Sequence, residues 1–109
     1  MLNQVILVGR LTDKPMMNTT ENDEKVASVI IAVPRQFKNV DGIYETDFIK
    51  CILWNKIASN TVEYCHKGDI VGIKGVIQTS SYETEEGIQK YSIEVIAEKI
   101  TFLSSKTKK

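Results

Sequence analysis

A chain of 109 residues is long enough for one domain with a real core, and small enough to leave much of its surface to a partner or to further copies of itself. Fourteen Lys and Arg balance fourteen Asp and Glu, which excludes a bulk positive field, so any affinity for a polyanion has to come from local placement. The last six residues take three of the basic side chains, leaving eleven positive against fourteen negative over residues 1–103.

Residues Leu2–Leu11 alternate and contain Val5, Ile6 and Val8, which predicts a first strand. Gly9 near its end marks a bulge or a close backbone approach. Asn3, Gln4 and Arg10 break this stretch, so it is neither a signal segment nor a membrane span, and a soluble cytoplasmic, nucleoid-associated protein is expected. Thr12–Glu24, with Pro15, Asn18, Asn22 and Asp23, reads as a loop, and Met16 and Met17 are assigned no function. Lys25–Val33 is dense in β-branched residues and predicts a second strand ended by Pro34. Arg35-Gln36-Phe37-Lys38 then runs to an Asp41-Gly42 turn signal, a long hairpin into the central strand. Phe37, between Arg35 and Lys38, taken alone reads as a packed or incidental ring.

That central strand is Thr46–Lys56. Side chains alternate in a strand, so Phe48, Lys50, Ile52, Trp54 and Lys56 share one face while Ile49, Cys51 and Leu53 share the other. One side is a core stripe. The other alternates flat rings with ammonium groups, which suits a single-stranded nucleic acid but equally suits a strand in a two-sided core with an incidental lysine.

Beyond it, Ile57, Ala58, Thr61, Val62 and Cys65 recur at helical spacing, and His66-Lys67-Gly68 stops a helix of about two to three turns. Cys51 and Cys65 read as reduced thiols with no disulfide, and with His66 they complete no metal-ligand spacing, so no cofactor is expected. Asp69–Ser80 alternates again, with Gly72 and Gly75 marking bulges or bends. Tyr82–Tyr91 surrounds a turn, and Tyr91–Leu103 gives a last strand. Residues 104–109 read as a lysine-rich tail after a single domain over residues 1–103. Five strands with one short helix between the third and fourth is the order of the all-β oligonucleotide/oligosaccharide-binding barrel.

At this point the chain resembles the bacterial single-stranded DNA-binding protein family over nearly its whole length. The likeness lies in Asn3 through Leu11, in Asp47-Phe48 through Leu53-Trp54-Asn55-Lys56, in Tyr64-Cys65-His66-Lys67-Gly68 and in Ile73-Lys74-Gly75. It implies base-stacking rings at Phe37, Phe48, Trp54 and Tyr82. It also implies phosphate-facing cations at Lys38, Lys50, Lys56 and Lys67, with Arg35 and Lys74 beside them, and a homotetramer, with a dimer as the alternative. The chain departs from the family in Gln78, Ser80 and Ser81, where basic residues are common, and in Glu83, Glu85 and Glu86 beyond them, so a weaker or less salt-sensitive binding is expected. Gly72 stands where a larger side chain often helps pair dimers. The family's acidic tip does not follow Lys109, so partners recruited through such a tip are not expected. Two rival classes stay in view: a protein-interaction module of the primosome type on the same barrel, and a nuclease, which would need clustered carboxylates or a phosphate-clamping arginine where this chain has only Arg10 and Arg35.

Overall fold

The computed structural model describes residues 1–104. It contains β1 (Val5–Leu11), β2 (Met16–Thr19), β3 (Lys25–Lys38), β4 (Tyr44–Trp54), α1 (Asn55–Tyr64), β5 (Ile70–Glu83) and β6 (Gln89–Ser104). β1 pairs with β5, β5 with β6, β6 with β4, β4 with β3, and β3 returns to β1 through Arg10↔Ala32 and Leu11↔Ile31. Five strands therefore close a barrel with α1 between its third and fourth strands, the oligonucleotide-binding architecture.

Two glycines permit the close approaches by which the barrel closes. A Cβ on Gly9 would stand 2.8 Å from the Ala32 carbonyl oxygen, where β1 meets β3, and one on Gly75 would run into the Ile96 carbonyl, where the β5–β6 register shifts. Gly72 sits differently: it pairs with Thr101 between the two register shifts of the β5–β6 ladder, and its Cβ would make only an ordinary contact with Leu103. The core is formed by Leu11, Ala27, Val29, Ile31, Cys51, Leu53, Val71, Ile73, Val95 and Ala97, with Ala58 and Cys65 from the helix side closing one end.

The elements depart from the sequence reading in four places. The predicted loop Thr12–Glu24 contains the short strand β2, which pairs with β3 from Met16↔Ser28 to Thr19↔Lys25. Four residues are too few to declare a period. Pro34 does not end β3. It lies beyond the β1 pairing, where β4 is the neighbouring strand, and the register shifts after it, the sort of position where a missing N–H is tolerated. β4 ends at Trp54, and Asn55, at φ 52°, turns the chain into α1, so Lys56 belongs to the helix and not to the strand face. Asn tolerates this left-handed conformation, and its Oδ1 accepts the Lys25 N–H at 3.3 Å. Finally, β5 and β6 run on to Glu83 and from Gln89, forming a long hairpin whose outer half is polar. The expected tail falls, from residue 105 onward, outside the described residues.

Ahead of β1, the Asn3 carboxamide donates Nδ2–H to the Ile77 carbonyl and accepts the Ile77 N–H, both at 2.9 Å. It stands two residues before Val5, and Ile77 two after Val5's partner Gly75, so the side chain adds a rung to the β1–β5 ladder.

Candidate nucleic-acid interface

The alternation expected in β4 is present. Cys51 and Leu53 are fully buried and Ile49 is half-buried, whereas Phe48, Lys50 and Trp54 are exposed. Burial pushes the Cys51 thiol up to about 11. Cys65 is raised as well, by its burial and by the nearby Asp69 charge. Both are buried free thiols.

Directly opposed residues share a sheet face, so the pairings carry the outer face of β4 across its neighbours. On one side Trp54, Ile52, Lys50 and Phe48 stand opposite Val26, Ser28, Ile30 and Ala32 of β3, and Ser28 and Val26 stand opposite Met16 and Asn18 of β2. On the other side Ile52 pairs with Ile96 of β6. The β5–β6 ladder then runs from Val76↔Ile96 through Gln78↔Glu94 and Ser80↔Ser92 to Tyr82↔Lys90 without a register shift. Phe48, Trp54 and Tyr82 therefore lie on one face. A hydrogen bond between the Ser80 and Ser92 hydroxyls at 2.9 Å and an ion pair between Lys50 Nζ and Glu94 Oε2 at 3.3 Å stitch that face together.

The four rings named by the sequence are all open to solvent: Phe37 is 81%, Phe48 67%, Trp54 37% and Tyr82 56% exposed. Phe37 reaches the surface by another route. Between the pairs Pro34↔Thr46 and Lys38↔Tyr44, three residues of β3 stand against the single residue Glu45, and Phe37 lies in that irregular stretch. The bulge is braced by charge. Arg35 donates Nη1–H to Glu45 at 2.8 Å and holds Asp47 through Nε and Nη2 at 3.1 and 3.0 Å, while Asn39 donates to the other Glu45 oxygen at 3.1 Å. The hydrogen bond from Arg35, helped by its charge, keeps the Asp47 carboxyl below the usual carboxylate range, and Asp47 in turn raises the guanidinium.

The cations sort into three groups. Lys38, Lys56 and Lys67 are exposed: Lys38 Nζ lies 5.7 Å from the Tyr44 ring centroid, Lys56 is in the first turn of α1, and Lys67 is in the turn after it. That turn is held by the His66 N–H on Asp69 Oδ2 at 2.7 Å, the Gly68 N–H on the Leu11 carbonyl at 2.9 Å and Arg10 Nη1 on the Gly68 carbonyl at 2.7 Å. The His66 ring lies against Asp69, its Nδ1 3.6 Å from Oδ2, beyond the helix end. Arg35 and Lys50 are already paired with carboxylates of this chain. Lys74 stands apart from the rings, between Ile6 and Lys99 on the β1–β5–β6 wall.

Sequence reasoning missed Met16, Asn18, Ser28 and Ile30, which bring exposed side chains to the same face and line a groove of about 360 Å³ with Thr12, Asp13, Lys14 and Val29. The alternation of Lys25–Val33 held the signal for Ser28 and Ile30. Nothing in Met16–Thr19 did.

No helix among the described residues is long and apolar enough to cross a membrane. Residues 2–103 match the model of the single-strand binding protein family. The chain is 50% identical over 106 residues to the single-stranded DNA-binding protein B of Bacillus subtilis, covering 97% of this chain and 94% of that protein. It is 46% identical to the single-stranded DNA-binding protein of Lactiplantibacillus plantarum over 97% of this chain, but spans only about half (53%) of that longer protein. With the single-stranded DNA-binding protein 3 of Listeria innocua it shares 43% identity, over 97% of this chain and 66% of the relative. A closed five-stranded barrel with its rings outside, and matches that run along almost all of it, agree: the chain belongs to the single-strand binding protein family.

Proposed function

We infer that this protein binds single-stranded DNA without strong sequence preference, and that it is not an enzyme. The observation that carries the reading is the exposure of Phe37, Phe48, Trp54 and Tyr82, three of them on one register-linked face. Every base has a flat face to stack, and each stacked base is worth about 1–3 kcal/mol by substitution, so four rings supply roughly 4–12 kcal/mol before any phosphate is met. Duplex DNA hides those faces. Stacking alone does not sense the ribose hydroxyl, so the preference for DNA rests on the family and not on the rings.

Phosphates are met by Lys38, Lys56 and Lys67, with Arg35, Lys50 and Lys74 contributing less because two are paired and one is remote. Protection of single strands in the cytoplasm during replication, recombination, repair or DNA uptake is the role this chemistry serves.

A homotetramer built from dimers is part of the same reading. From Val5 to Gly9, β1 pairs with β5 on one side, and on the other it meets β3 only at Arg10 and Leu11. That leaves a strand edge flanked by the exposed side chains of Ile6 and Val8, the template on which a second copy pairs about a two-fold axis. Light scattering with and without long oligo-thymidylate reads the assembly and its stoichiometry.

The binding test is Trp54 fluorescence. Oligo-thymidylate quenches it at low salt, and unchanged emission at saturating oligonucleotide overturns the reading.

A further inference from the structure

Lys50 occupies the middle of the ring-bearing face, between Phe48 and Ile52 on β4 and opposite Ile30 of β3. In the free protein its ammonium is already engaged. Nζ lies 3.3 Å from Glu94 Oε2, a carboxylate that reaches it from β6 because β4 and β6 run parallel and pair at Cys51↔Val95 and Ile52↔Ile96. The two partners are not equally free. The Lys50 side chain is 51% exposed, whereas that of Glu94 is 21% exposed, packed into the face between the two strands.

We propose that Glu94 is an internal competitor for the DNA backbone: its carboxylate holds the position a phosphate would take on Lys50, and so sets how tightly, and with what salt dependence, the face binds a single strand. This rests on the reading of the face given above. A lysine ammonium has three donors and no acceptor, so it can turn from a carboxylate oxygen to a phosphate oxygen without rebuilding the strand that carries it. With Glu94 ionised beside it, however, the pair is neutral. An arriving phosphate then gains little from Lys50, and that cation contributes little to the release of counterions that makes binding salt-dependent. Removing the Glu94 charge returns one free cation to the centre of the track while leaving every ring in place.

The test compares wild type, Glu94→Gln, Lys50→Gln and the double variant by quenching of Trp54 with oligo-thymidylate over a range of salt. Glu94→Gln is expected to bind about two- to fivefold more tightly at low salt, the range that exposed ion pairs are worth. Its plot of log affinity against log salt should be steeper by about 0.7, the increment for one more phosphate contact on a single strand. Adding Lys50→Gln to it should return the slope to the wild-type value, which a merely structural effect of position 94 would not do. The proposal is overturned if Glu94→Gln leaves affinity and slope unchanged, or if it weakens binding while circular dichroism shows the barrel intact. Those failures leave the wild-type quenching in place, whereas failure of the underlying reading removes it from every variant.

Discussion

Even and odd residues of β4 do opposite work. Cys51 and Leu53 point into a core that admits almost no solvent, with half-buried Ile49 packed against it, and Phe48, Lys50 and Trp54 point out of it, two of them exposed aromatic rings. Burial alone would have sent those rings inward and put polar side chains outside. The inner set fixes whether the barrel stands, and on the function proposed above the outer set is the surface that meets a single strand, with a single residue's step between the two.

The comparison can be broken at its strongest point first. Leu53→Ala empties a fully buried site and should cost about 2–5 kcal/mol of unfolding free energy in denaturant titration, while the fraction that remains folded still binds oligo-thymidylate. Trp54→Ala, one residue along, should reverse the pattern, losing about 1–3 kcal/mol of binding with the unfolding midpoint little moved; binding is then followed by fluorescence anisotropy of a labelled oligonucleotide. If both substitutions damage stability equally, the division between the faces is wrong. Lys56→Gln and Lys67→Gln should each flatten the salt slope by about 0.7, and Lys74→Gln, on the other wall, should not. A last test returns to the inner face. Cys51 titrates near 11 when folded against an ordinary 9, so between those values the unfolded chain gives up a proton that the native one keeps, and stability falls as pH rises through the window. Unfolding midpoints at pH 8 and pH 10.5 should therefore differ less in Cys51→Ala than in wild type.

Much of this was legible in the residues. The order of five strands and one helix and the two faces of β4 follow from alternation and turn chemistry, because those signals are local. The helix itself stops earlier than expected, at Tyr64 with an extended Cys65, ahead of the His66-Lys67-Gly68 turn. What stayed hidden is long-range or short-lived. β2 has only four residues. The tips of β5 and β6 continue as a ladder through Ser81↔Tyr91, Tyr82↔Lys90 and Glu83↔Gln89, where backbone pairing persists without an apolar period to announce it. The ion pairs could not be read at all: Lys50 and Glu94 are brought together by only two rungs of parallel pairing, and Arg35 reaches Asp47 across a bulge that no spacing rule foretells. The resemblance implied phosphate-facing roles for Arg35 and Lys50, and only the structure shows that both are already paired with carboxylates of this chain.

The leading rung supplied by Asn3 makes the start of the chain unusually dependent on one functional group. A carboxamide can take the place of a peptide unit because it pairs an N–H donor with a carbonyl acceptor, and the corresponding acid has no such donor to offer Ile77. Deamidation at this single position would therefore remove the donor that meets the Ile77 carbonyl and loosen the first residues from the barrel, leaving core and rings chemically untouched.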